Sequence, residues 1–279
     1  MIKMRRRTRR QIEAGLLYMV AAAVLLFLLF PFVWLIMVSL RAEVLTFSRP
    51  PAILFAPTVD HYVTSFTKAG LRSSVINSFI IAIAVTVISV LLGTLAGYSI
   101  ARTGIGGRPL MFCILFTAMM PGVVVLIPLY LVVQALRLLD THAALIAINT
   151  AFSLPFAVWM MRGFFIDMPP DCEEAAMVDG TSRLGALVRI AIPLAMPAVT
   201  ATAILTFIGV WNEYMFAVTF YQSKVQTVTV FTSLISLSRF AVEWGPMGAT
   251  GTVTAVPVVT LAFLARRYLL RGLTFGKVG

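Results

Sequence analysis

Residues 162–193 read RGFFIDMPPDCEEAAMVDGTSRLGALVRIAIP. Asp167, Asp171, Glu173, Glu174 and Asp179 put five of the chain's eleven acidic residues into positions 162–189. Pro169 and Pro170 close whatever precedes them, and Asp171 is a good N-cap because its carboxylate can accept from free first-turn N–H groups. Glu173 and Glu174 then fall where negative charge complements the helix dipole. The pattern predicts a short helix over Cys172–Val178, ended by Gly180 at positive φ. Thr181 or Ser182 can cap a second helix over Arg183–Ile192, and Pro193 and Pro197 mark entry into a new apolar run. The expected local structure is a helix–turn–helix lying on a membrane face.

What surrounds this stretch decides the fold class. The chain of 279 residues is 60% hydrophobic and 12% charged, about half the charge of a soluble domain. Mean hydropathy is +0.96. Crossing a bilayer core takes about 20 mostly apolar residues. Six stretches qualify: Gly15–Val38, Ser78–Ala101, Leu110–Val133, the short Ala144–Met161, about Met196–Phe220 and about Gly248–Tyr268. No alternating strand pattern is present, so helices are the expected spans. The apolar run of the first segment exceeds a signal-peptide core and lacks a small-x-small cleavage site, so it reads as a retained anchor. The expectation is an all-α, polytopic membrane protein with six transmembrane helices and a short helical loop between the fourth and fifth. Three regions follow: a basic N-terminus 1–14, a six-helix domain 15–268 containing the loop 170–193, and a tail 269–279.

Charge orients these spans. Lys3, Arg5, Arg6, Arg7, Arg9, Arg10, Arg102, Arg108, Arg162, Arg183, Arg189, Arg266, Arg267, Arg271 and Lys277 lie on one side. Seven basic residues lie on the other: Arg41, Arg49, Lys68, Arg72, Arg137, Lys224 and Arg239. Basic residues collect in cytoplasmic loops, so both termini are expected in the cytoplasm of a bacterial inner membrane protein. The net charge of +11 is then explained by topology and anionic lipid, not by nucleic acid. Cys113 and Cys172 lie on different elements, and the second faces a reducing compartment, which argues against a disulfide. His61 and His142 have no metal-ligand spacing around them, and no Walker A, H-E-x-x-H or G-x-S-x-G pattern occurs. Neither an enzyme nor an ATP site of its own is expected in this chain.

The acidic loop runs against the charge trend and can meet a basic partner. Its residues also carry a resemblance. Glu174-Ala175-Ala176, three residues, Gly180, nine residues and Ile190-Ala191-Ile192-Pro193 resemble the EAA loop of ABC importer permeases, with Ile192 where that pattern has Leu. Asn77-Ser78, Trp211-Asn212-Glu213-Tyr214 and Gly272-Leu273-Thr274 extend the likeness to carbohydrate-importer permeases of the maltose type. Their usual tail is GLTxGAVKG, whereas this one reads GLTFGKVG. The resemblance implies a permease subunit that pairs with a second, homologous permease, two ATP-binding subunits and an extracytoplasmic substrate-binding protein. ATP and magnesium would sit on the partner ATPase, with no cofactor in this chain. It further implies that the loop docks on that ATPase, with Glu173, Glu174, Ala175, Ala176, Asp179, Gly180, Arg183, Ile190 and Pro193 as its residues. Either Glu173 or Glu174 could pair with a base there.

Glu213 is the only acid placed well inside an expected span, and a charge there should face protein or water. With Trp211, Asn212, Tyr214 and the span residue Asn149 it forms the candidate translocation path or gate; helix packing is the alternative use. Gly93 and Gly97 form a G-x-x-x-G suited to close packing in the second span. Importers of phosphate esters, polyamines or peptides, and an ion-coupled secondary transporter, are the competing functions. The second is disfavoured by the lack of an internal repeat.

Overall fold

A computed structural model describes residues 2–46, 48, 54–67, 70–237 and 244–274. In chain order the helices are α1 (Ile2–Ser39), α2 (Glu43–Thr46), α3 (Asp60–Thr67), α4 (Leu71–Thr103), α5 (Gly107–Met119), α6 (Gly122–Ala135) and α7 (His142–Asp167). There follow α8 (Asp171–Val178), α9 (Arg183–Ala186), a π-helical turn Leu187–Ala191, α10 (Ile192–Trp211), α11 (Met215–Phe220), α12 (Val228–Leu237) and α13 (Trp244–Thr274). No strand occurs among the described residues. Among the described residues five helices are long and apolar enough to span a bilayer, or six where the bent pair α5–α6 is taken as one broken span.

The chain divides into two compact units, residues 1–69 with 235–253, and residues 70–234 with 254–279. In the first, the apolar side chains of α1 from Leu16 to Trp34 point outward. At its end Ser39 Oγ donates to the Ile36 carbonyl (2.7 Å) and shares a hydrogen bond with the Tyr62 hydroxyl (2.7 Å). Gly248 lets the start of α13 lie against that end, for a Cβ there would sit 2.9 Å from Ser39 N.

The second unit is built on α4 and α7, with α10 packed on both. Gly93 and Gly97 supply the close approach expected of them. A Cβ on Gly93 would lie 2.6 Å from Ala157 Cβ, and one on Gly97 2.7 Å from Arg162 N. At the end of this unit that carries the loop 168–182, Tyr98, Met161, Phe165, Met168, Leu187, Ala191 and Ala195 form a buried apolar cluster.

The second span begins at Leu71, seven residues before the expected Ser78, and three further spans differ from expectation. The third is no single helix: α5 and α6 meet at 81°. Met120 has φ −68° and ψ 122°, the extended geometry favoured before proline, and Pro121 has no N–H to continue the ladder. The fourth extends to Asp167, six residues beyond the expected Met161, with Pro155 accommodated inside it. The fifth stops at Trp211 and does not reach Phe220; Asn212–Tyr214 separate it from α11. At the N-terminal side no break separates residues 2–14 from the first span, since both belong to α1. Likewise α13 runs on through Thr274, past the expected start of the tail, and residues 275–279 lie outside the described residues.

Candidate functional site

The acidic loop folds as a helix–turn–helix, with two corrections of detail. Asp171 is not the cap. Pro170 holds that position, and its carbonyl accepts from Glu173 N and Glu174 N, both at 2.9 Å. Asp171 thereby becomes the first helical residue, still beside the positive end of the dipole. At the other end of α8, Gly180 takes φ +91°. Thr181 N reaches back to Ala176 O (3.0 Å) and Gly180 N to Met177 O (3.1 Å), which closes the free carbonyls as a glycine C-terminus does. Ser182, and not Thr181, caps α9, its Oγ accepting from Gly185 N at 3.1 Å.

The second short helix does not stay separate. It widens into the π turn and continues as α10. Pro193 explains the widening, because it has no N–H for the Arg189 carbonyl and its ring crowds that group. Ile192 N bonds to Leu187 O, five residues back, and relieves the strain. Ile190 is half-buried and Pro193 exposed on this stretch.

The two adjacent glutamates face opposite ways. Glu174, Ala175, Asp179 and Arg183 are exposed, Ala176 is partly so, and Val178 and Leu184 lie open beside them. Glu173 is 2% exposed and turned inward, so the expectation that it might meet an external base is corrected. Its carboxylate accepts from the Tyr98 hydroxyl (2.7 Å) and from Arg102 Nε (3.1 and 3.3 Å) and Nη2 (2.6 Å). The same guanidinium donates to the carbonyls of Phe165 (2.6 Å) and Met168 (3.1 Å). Arg102 and Tyr98 are the residues that sequence reasoning missed. Their four-residue spacing on one helix face was visible, but nothing local linked them to a loop some 70 positions away.

The Glu213 cluster is also rearranged by the break in the fifth span. Glu213 Oε1 accepts from Phe216 N (2.7 Å) and Oε2 from Ala217 N (3.1 Å), so both oxygens serve the free N-terminus of α11. Trp211 is 1% exposed, stacks on Phe207, packs on Phe79 and donates Nε1–H to Thr254 O (3.1 Å). That makes it a packing residue and removes it from the candidate path. Asn149 is buried and donates to Leu145 O on its own helix (2.9 Å), which removes it too. Asn212, whose Nδ2 donates to Ile208 O, and Tyr214 remain exposed.

At the end of the unit opposite the helix–turn–helix lies a polar knot. Asp140 adopts φ 59° and its carboxylate accepts from the N–H groups of Ser223 (2.9 Å), Lys224 (2.7 Å) and Val225 (2.9 Å). Burial pushes this carboxyl up, but the backbone donors outweigh it and hold it below its ordinary value. Asn77 Nδ2 donates to Gln226 O (3.1 Å), and Ser78 Oγ accepts from Val228 N (2.8 Å). Asp140 thus fastens residues 223–225 to the turn before α7, and Asn77 and Ser78 fasten Gln226 and Val228 to α4. Among the described residues no group of His, Cys, Asp or Glu side chains could hold a metal.

Comparison with known proteins gives this architecture a class. Residues 89–275 match the family described as binding-protein-dependent transport system inner membrane component. The chain is 36% identical over 272 residues to a probable ABC transporter permease protein of Sinorhizobium fredii, covering 98% of this chain and 97% of that one. It is 35% identical over 254 residues to the trehalose/maltose transport system permease protein of Thermococcus litoralis, covering 90% and 91%. Among solved structures, a bacterial ABC transporter for import of the acidic polysaccharide alginate superposes with TM-score 0.77, covering 92% of this chain and 96% of that chain at 22% identity. A second, of a bacterial alginate ABC transporter in complex with a pentasaccharide-bound periplasmic protein, gives 0.68 over 98% and 97% at 17% identity. The chain belongs to the family of inner membrane components of binding-protein-dependent transport systems. It is a multi-pass membrane permease component of the ABC importer type.

Proposed function

We propose that the chain is the permease subunit of an ATP-driven saccharide importer, with the exposed face of α8 as its contact to a cytosolic ATPase. One observation carries the coupling role. Glu174, Ala175 and Ala176 stand outward on a rigid helix–turn–helix that runs unbroken into α10. A small-residue surface bearing the Glu174 carboxylate admits close approach and an ion pair, while Gly180 sets the angle between the two arms. Asp179, Arg183, Ile190 and Pro193 complete this docking element. Saccharide as cargo is supported by the trehalose/maltose relative and the alginate importers. The complex with a periplasmic protein supports a substrate-binding protein as partner. A second permease, two ATP-hydrolysing subunits and cytoplasmic termini complete the assembly. Asn212 and Tyr214 are the remaining candidates for the substrate path.

Glu174→Lys and Gly180→Asp test the coupling role. Both should insert in the membrane, fail to retain the ATPase on purification and lose saccharide uptake. Normal uptake in both would refute it.

A further inference from the structure

The helix–turn–helix meets the spans in two unlike ways. Downstream it is covalently stiff: α9, the π turn and α10 form one continuous helical rod. Upstream, Met168–Pro170 interrupt the helix between α7 and α8. Two prolines restrict that link but supply no N–H groups to hold it. A push on α8 could therefore be absorbed by rotation about the link, unless something else fixes α8 to its neighbours.

Arg102 is placed to do that. It sits in the last turn of α4, 15% exposed at the side chain, and its guanidinium ties that turn to two other helix ends at once. Nε and Nη2 hold Glu173 on α8, Nη1 holds the Phe165 carbonyl near the end of α7, and Nη2 also holds Met168 just beyond it. The planar fork suits this work, since its donors are pre-arranged and always charged. Tyr98, one turn earlier, supplies the second anchor to Glu173 Oε2. Glu173 is only 2% exposed, and its hydrogen bonds run inward to Tyr98 and Arg102.

Resting on the coupling role proposed above, we infer that Arg102, Glu173 and Tyr98 form a clasp that transmits movement of the coupling helix to α4 and α7. They act as positioning residues. The exposed neighbour Glu174 receives the partner, and the clasp passes the displacement inward. Cutting the clasp leaves docking and hydrolysis in place but lets α8 turn without carrying the second and fourth spans.

The test uses the complete transporter reconstituted in proteoliposomes with its binding protein. Uptake and ATP hydrolysis are measured on the same vesicles, and ATPase retention on the purified complex. Glu173→Gln keeps the shape and removes the charge; Arg102→Lys keeps the charge and removes the fork. Each should retain the ATPase and hydrolyse ATP while substrate imported per ATP falls by about two- to thirtyfold, the range for changes that alter coupling without touching a ligand. Tyr98→Phe, which deletes one hydroxyl, should lower the same ratio by a smaller factor and covers the case in which the charge changes impair folding. An unchanged ratio in all three, or loss of ATPase retention in step with uptake, overturns the clasp. Glu174→Lys in parallel keeps the two readings apart. If it abolishes ATPase retention while Glu173→Gln leaves the ratio unchanged, the clasp alone is wrong. If it changes nothing, the docking role itself fails.

Discussion

Replacing Gly93 or Gly97 with alanine should separate α4 from α7, and the size of the effect follows from the contact geometry. A methyl on Gly93 would lie 2.6 Å from Ala157 Cβ and 2.9 Å from Ala157 C, where ordinary contact begins at 3.4 Å. On Gly97 it would lie 2.7 Å from Arg162 N and 3.0 Å from Met161 Cβ. Backbone atoms cannot escape by a rotamer change, so the helices must move apart. Overpacking of this kind costs about 1–3 kcal/mol. Alanine regains about 0.5–1 kcal/mol of helix propensity over glycine, which reduces but does not reverse the penalty. A net loss of about 1–2 kcal/mol corresponds to a melting point lower by about 2–8 °C. Gly163 and Gly209 provide the control, because a Cβ at either meets nothing within 4 Å. Alanine there should be neutral or raise the melting point. The assay is thermal denaturation of the purified protein in detergent, followed by fluorescence. If Gly93→Ala and Gly97→Ala melt like the controls, α4 and α7 are not in backbone contact. The double variant should lose less than the sum of the two, because both residues open one interface.

Asp140→Asn should destabilise by about 1.5–3 kcal/mol at neutral pH, since a charged acceptor of backbone N–H groups is lost. The native carboxyl is depressed below its usual value of 3.8. Its contribution is therefore complete above that value and disappears as pH falls through the lower folded one. Melting curves of the two proteins should converge in acid; a gap that stays constant with pH would contradict this. Glu213→Gln removes one of two acceptors at the start of α11 and should lower stability by about 1–3 kcal/mol without changing apparent substrate affinity. An altered affinity at unchanged melting temperature would return this carboxylate to the substrate path.

The spans were legible because crossing a bilayer demands a length of apolar chain that little else demands. Their interruptions were not. Proline is tolerated inside membrane helices, so Pro155 and Pro257 sit within helices while Pro121 ends one. Only packing around each decides the outcome. The turn at Gly180 was readable from chemistry alone, because positive φ selects glycine. Which of two neighbouring glutamates turns inward was not readable. That choice depends on Arg102, brought within reach by the pairing of α4 with α7. Trp211 and Glu213 misled for a related reason: aromatic and acidic residues in a span look like a binding surface until the helix is seen to stop between them.

Helix persists from Arg183 to Trp211, 29 residues, or about 40 Å at the usual rise per residue. It begins at Ser182, within the exposed docking element, and stops at the turn that Glu213 organises. Two places chosen from the sequence for unrelated reasons are thus the two ends of one strut. A tilt imposed at Arg183 stays within helical chain, through the π turn and past Pro197, as far as Asn212. The first hinge it meets is the three-residue break beside the exposed Tyr214, on the far side of the bilayer from where the tilt was applied.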